Sequence, residues 1–158
     1  MLYTTYFSKL KSIPKNAKKL IITRFPPKWI DVDKLNNAFI VKALSPSQTI
    51  LLNYKKDNDW EKYVEHFEKE MNEREDLKSM LSQLEEFLKK DKDVYLICYE
   101  KDYTKCHRYL IAKHLENKGI PWKELHELYN SYEFNLLSEL KGETQKNDLN
   151  KKSNLNKE

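Results

Sequence analysis

Glycine is almost missing from this chain: its 158 residues include only Gly119 and Gly142. That excludes a phosphate-cradling loop and the glycine-spaced dinucleotide fingerprint, since both need several glycines where backbone approaches phosphate. Cysteine is equally scarce. With Cys98 and Cys106 alone, there is no Cys-x-x-Cys redox pair and no disulfide framework. Cys98, Cys106, His107 and His114 do not fall in a standard zinc spacing, so no metal and no cofactor is expected. No stretch approaches the roughly 18 apolar residues that a membrane span needs. The start, MLYTTYFSKLKS, lacks the basic, apolar and small-residue order of a signal peptide. The reading is a cytoplasmic protein with reduced thiols and no membrane partner.

Arginine is the third scarcity. Of 29 basic residues only Arg24, Arg74 and Arg108 are arginine. In so Lys-rich a chain, an arginine is expected where a planar fork of donors is needed and a point charge will not serve. Arg74 lies in a run of charges and reads as a solvated helix residue. Arg24 and Arg108 lie beside strand ends.

Charged residues make up 34% of the chain and its net charge is +4. That is mildly basic, and it permits nucleic-acid contact without arguing for it. The last eighteen residues, KGETQKNDLNKKSNLNKE, are rich in Lys and Asn and have no apolar periodicity. They read as a disordered tail over 141–158, behind a single domain over 1–140. Ten Tyr, six Phe and three Trp point to a core built from large rings.

Strands are expected over Leu2–Tyr6, Lys19–Thr23 and Asp93–Tyr99, the last being short, β-branched and aromatic. The segment NNAFIVKAL is compatible with a strand or a turn of helix. Ser45 followed by Pro46 predicts a helix start, with Ser45 as N-cap. Asp59 predicts another. After it, Trp60, Tyr63, Val64, Phe67 and Met71 fall on one helical face, and Leu77 to Leu88 continue the pattern after a charged interruption. This predicts two helices, or one bent helix, over about 60–90, with a stripe that belongs to the core. Cys106–Lys118 reads as a helix closed by Gly119. Ile120-Pro121-Trp122 begins a last strand or helix, and Leu125–Leu140 has helical spacing. Strands alternating with helices in this order predict an α/β fold with a mostly parallel sheet and helices packed on its faces.

The chemistry concentrates at one strand-to-helix turn, LICYEKDYTKCHRYLIAKHL. Its core is Cys98-x-Glu100-x5-Cys106-His107-Arg108. Glu100 directly follows a strand, so its carboxylate is expected at the rim, as a general base or as a holder of arginine. Cys106, His107 and Arg108 fall in a first helical turn, where free N–H groups and the helix dipole favour an anion and lower a thiol pKa. Arg24 closes the other strand at TRFPP. In parallel sheets, ligands bind beyond the carboxyl ends of the strands. Arg24 and Arg108 would then clamp a phosphate or carboxylate. The alternative reading keeps Cys98 in the core, pairs Glu100 with Arg108 or Lys101, and makes the motif a loop latch. RFPPKW reads as a turn packed on the core or as a stacking platform for a base.

YTTYFSKL, ITRFPPKW, the Trp60–Met71 pattern and the Cys-x-Glu-x5-Cys-His-Arg element together resemble the domain-of-unknown-function 488 family over about residues 2–120. The broader family more often has Asp-x-Arg where Ile22-Thr23-Arg24 stands. The resemblance implies a small Rossmann-like three-layer α/β sandwich with a polar site at its strand ends. It supplies no activity. On this basis Glu100 and Cys106 are the candidate catalytic residues, and Arg24, Cys98, His107 and Arg108 the candidate ligand-binding residues. The expected ligand is a small phosphorylated or nucleotide-like anion, held by an enzyme or a sensor. The alternative is a nucleic-acid-associated module, repair- or phage-linked, without catalysis of its own.

Overall fold

The computed structural model describes residues 1–125, and Met1–Glu124 form one compact unit. The expected helix over 125–140 and the expected tail lie outside the described residues. Five strands form one all-parallel sheet: β1 (Leu2–Tyr6), β2 (Lys18–Ile21), β3 (Ala38–Ile40), β4 (Val94–Cys98) and β5 (Trp122–Glu124). Their spatial order is β3-β2-β4-β1-β5. Four helices follow the same numbering: α1 (Gln48–Asp57), α2 (Trp60–Glu73), α3 (Glu75–Leu88) and α4 (His107–Glu116). This is the expected α/β architecture, and the open parallel sheet fits a Rossmann-like sandwich.

β4 takes the centre because all five of its residues are buried. A continuous apolar run suits a strand covered on both faces. It pairs with β1 from Leu2↔Val94 to Tyr6↔Cys98, and with β2 from Lys18↔Val94 to Ile21↔Ile97. Alternate strand residues Leu2, Leu20, Val94 and Leu96 share one apolar cluster with all four helices, through side chains such as Ile50, Phe67, Leu81 and Ile111. The aromatic stripe of α2 is therefore core, as its spacing predicts.

Two local expectations are corrected. Ser45 is not the N-cap of α1. Its hydroxyl donates to the Lys42 carbonyl at 2.6 Å and closes a short 3-10 turn over Lys42–Leu44. Ser47 is the cap instead, and its Oγ accepts from the Ile50 amide at 3.4 Å. Asp59 does cap α2, accepting from the Lys62 amide at 3.0 Å.

The second correction is Arg74, which is not a solvated helix residue. It stands in extended backbone between α2 and α3, so the run over 60–90 is two helices. Its guanidinium reaches Glu70 and Asp76, and donates to the carbonyls of Ser45 and Ala43.

With so little glycine, left-handed backbone falls to other residues. Asn37, Asn58 and Asp91 all have φ between 53° and 56°. Asn and Asp tolerate that region better than other side chains because their short polar groups bond locally. Gly119, at φ 84°, ends the turn after α4.

Chain direction now places a crevice. From β2 the chain moves outward to β3, whereas from β4 it crosses β1 to reach β5. Connections that leave neighbouring strands in opposite directions open a space beyond their carboxyl ends.

Candidate functional site

The crevice holds a pocket of about 160 Å³ beyond the ends of β2 and β4. β2 delivers Thr23 and Arg24 to it, and β4 delivers Cys98, Tyr99 and Glu100. After β4 a 3-10 turn over Tyr103–Lys105 is capped by Asp102, which accepts from the Thr104 amide at 3.0 Å. The turn lifts the chain back to the sheet, and Cys106 becomes the N-cap of α4 with extended backbone, φ −137° and ψ 143°. Cys106 and His107 reach the pocket this way, and α1 and α2 close it with Tyr54 and Tyr63.

At the floor, Cys98 Sγ is 3.4 Å from Glu100 Oε2 and 3.7 Å from His107 Nδ1. Cys106 Sγ is 3.9 Å from the same Nδ1. His107 Nε2 lies 2.8 Å from the Ile22 carbonyl, which only accepts, so Nε2 carries the proton. Both thiols and the imidazole are buried. Glu100 is exposed as a residue, but its carboxyl turns inward against Cys98.

Burial acts on every group here, and the charges sort them. Burial pushes the Cys98 thiol well up, with the neighbouring Cys106 and Glu100 adding to it. Burial opposes ionisation of Cys106 as well. There, the hydrogen bond with Cys98 and the charges of His107 and Arg108 outweigh it and hold the thiol well below its usual value. Burial disfavours the His107 cation, yet Cys106 and the Ile22 carbonyl raise its pKa. Glu100 is raised by burial and then by Cys106.

Five of the six expected site residues, Arg24, Cys98, Glu100, Cys106 and His107, line this one pocket. Arg108 does not. It is fully buried and turned toward β5, where its Nε donates to Glu124 at 3.3 Å. Its other nitrogens reach the carbonyls of Glu100 at 2.6 Å and Lys101 at 3.4 Å. The expected clamp of two arginines is therefore not formed, and Arg108 latches the loop that carries Glu100.

Arg24 keeps its fork for the pocket. Its Nε is fixed by the Pro46 carbonyl at 2.6 Å, and among the described residues its terminal nitrogens have no acceptor. Sequence reasoning missed Thr23. The residue lines the pocket, and its buried hydroxyl has no hydrogen-bond partner among the described residues. No motif marks a lone threonine after a strand. Lys55 and Lys105 add charge at the wall.

The family model described as "Active DUF488-N3 subclade" (DUF488-N3a) matches residues 4–119. Neither a curated protein nor a solved structure matches the chain.

Proposed function

Since the chain belongs to the DUF488 family, we propose that its pocket binds a small phosphorylated or nucleotide-like anion and presents Glu100 and Cys106 to it. One observation carries this reading. Among the described residues, Thr23 and Arg24, adjacent on the wall, have a buried hydroxyl without a partner and a guanidinium whose outer donors are unused. Buried polar groups are otherwise almost always paired, so an orphan that lines a pocket points to a missing partner. The arginine fork fits phosphate oxygens, and Lys55 and Lys105 add positive charge around them. Phe25, Tyr54 and Tyr99 supply the flat apolar surface that suits a base or a ribose. At about 160 Å³ the pocket is smaller than the roughly 300–1,000 Å³ of drug-sized sites. It suits a small anion or one part of a nucleotide. The subclade is described as active, and a floor of two thiols, an imidazole and a carboxyl gives this chain groups with which to act.

The test is thermal denaturation of the full chain with nucleoside mono- and diphosphates and sugar phosphates. At least one should raise Tm by several degrees at saturation. Arg24→Lys and Thr23→Val should each weaken that ligand about tenfold or more, as expected for losing a charge-assisted or a buried hydrogen bond. A panel without any shift, or shifts unchanged in both variants, removes the reading.

A second reading, a nucleic-acid-associated module, draws on exposed rings: Phe25 at 57% and Tyr99 at 47%, which line the pocket, and Trp29 at 68%. Successive bases stack on such platforms. Fluorescence anisotropy of labelled single-stranded DNA and RNA at low salt decides it. Binding that falls steeply with added salt supports it, and no binding ends it.

A further inference from the structure

Cys98 Sγ, Cys106 Sγ and a ring nitrogen of His107 all lie within 4.8 Å of one another, and all three residues are buried. We propose that these three side chains bind a thiophilic divalent metal ion, zinc by preference, with a fourth position open to the pocket beside Glu100.

The distances fit first. A tetrahedral zinc with bonds of about 2.3 Å to sulfur and about 2.0–2.1 Å to nitrogen sets its sulfur and nitrogen ligands roughly 3.6 Å apart. The observed separations from Nδ1 are 3.7 Å to Cys98 and 3.9 Å to Cys106. Cys98 Sγ is also 3.9 Å from Nε2, so that sulfur stands alongside the ring. Loading therefore requires the ring or the Cys98 side chain to turn so that Nδ1 and both sulfurs face one point.

The second argument is the state of the imidazole. With its Nε2 proton directed to the Ile22 carbonyl at 2.8 Å, Nδ1 keeps a free lone pair, with Cys106 at 3.9 Å and Cys98 alongside the ring. A metal-binding histidine is held in just this way, by a backbone carbonyl on its far nitrogen. As a thiol, Cys98 donates to Glu100, which leaves Cys106 to donate to Nδ1. A metal ion uses all three donors at once, and a pair of soft sulfurs with an imidazole favours zinc among the common divalent ions.

The sequence hides this arrangement. Cys106 and His107 are adjacent, and two successive helical positions diverge by about 100°. Here Cys106 is the extended N-cap and only His107 is helical, so both side chains can face one point. Cys98 arrives from the end of a strand eight positions earlier.

All three ligands line the pocket, so a bound ion would expose a coordination site to whatever enters it. Three protein ligands with one open position is the pattern of catalytic rather than structural zinc. Loading would make Cys106 a ligand instead of a nucleophile, and would leave Glu100 as the acid–base group next to the open site.

The experiment uses the full chain, reduced and stripped of metal, without any anionic ligand, so it stands apart from the anion reading. Titration with Co²⁺ should give about one equivalent bound, with intense tetrahedral d–d bands and a sulfur-to-cobalt charge-transfer band, all displaced by Zn²⁺. Zn²⁺ should also protect both thiols from Ellman's reagent. Cys98→Ser and Cys106→Ser should each weaken the charge-transfer band and lower zinc affinity at least about a hundredfold, with circular dichroism confirming that the variants fold. Absence of the charge-transfer band in the wild type, equal thiol reactivity with and without Zn²⁺, or unchanged zinc binding in both folded variants overturns the proposal.

Discussion

Arg108 divides its donors between Glu124 on β5 and the carbonyls of Glu100 and Lys101 in the loop after β4. Thr4 of β1 donates to the same Glu124 carboxylate at 2.6 Å. One guanidinium therefore ties three parts of the structure, with both charged partners out of contact with water. Breaking a buried pair on one side leaves the other charge uncompensated, at a cost of about 3–5 kcal/mol. Arg108→Ala should lose that much stability in urea denaturation, and Arg108→Lys should recover only part, because an ammonium cannot reproduce the fork.

The loss should also depend on pH. Burial already raises the Glu124 pKa, and Arg108 holds it back. Without Arg108 the folded-state value rises further above the unfolded one. A carboxyl with a raised folded pKa withdraws stability as pH rises, so the deficit of Arg108→Ala should be smaller at pH 5 than at pH 8. An equal deficit at both pH values would show that the lost packing, not the charge, matters. The scarcity of arginine marked this residue correctly as one where lysine would not serve. It could not reveal the partner, since Glu124 lies sixteen residues away on the strand after the helix. Arg74 repeats the lesson: its fork serves the main chain of a distant turn.

At the scale of elements, apolar patterning sets most boundaries and side-chain chemistry sets the rest. β1, β4, α2 and α3 follow runs and stripes visible in the sequence, because burial rewards those patterns directly. The start of α1 differs from the expected one because Ser45 and Ser47 both suit an N-cap. The choice between them depends on whether the preceding turn claims the hydroxyl, and Lys42 claims that of Ser45. The end of α1 rests on Asn58 at φ 53°, whose amide bonds to the Tyr54 carbonyl at 2.8 Å. Asn58→Gly should be neutral or slightly stabilising. Asn58→Val should cost about 1–2 kcal/mol, since a β-branched side chain strains that backbone. Thermal denaturation of the pair checks it; equal melting temperatures would mean the helix end relaxes freely.

For the whole molecule, the decisive property is strand order, and no residue pattern announces it. The sequence indicates a parallel sheet but not that β4 inserts between β1 and β2. That insertion brings Arg24 and Cys98 to one pocket. The site was legible as two segments and became one only through topology. Hydrogen exchange should show the same hierarchy. Amides of the central β4 should exchange only through global unfolding, and those of the edge strand β3 should exchange far faster through local opening. Comparable protection in β3 and β4 would contradict this account of the sheet.

The same insertion bears on synthesis. β1 and β2 leave the ribosome with an empty slot between them, and the strand that fills it begins seventy-three residues after β2 ends. At roughly 5–20 residues per second the nascent chain holds two unfinished edges for about 4–15 seconds. A chaperone that shields extended apolar segments would find its substrate in that interval, and a chain released before Val94 would carry the vacancy permanently.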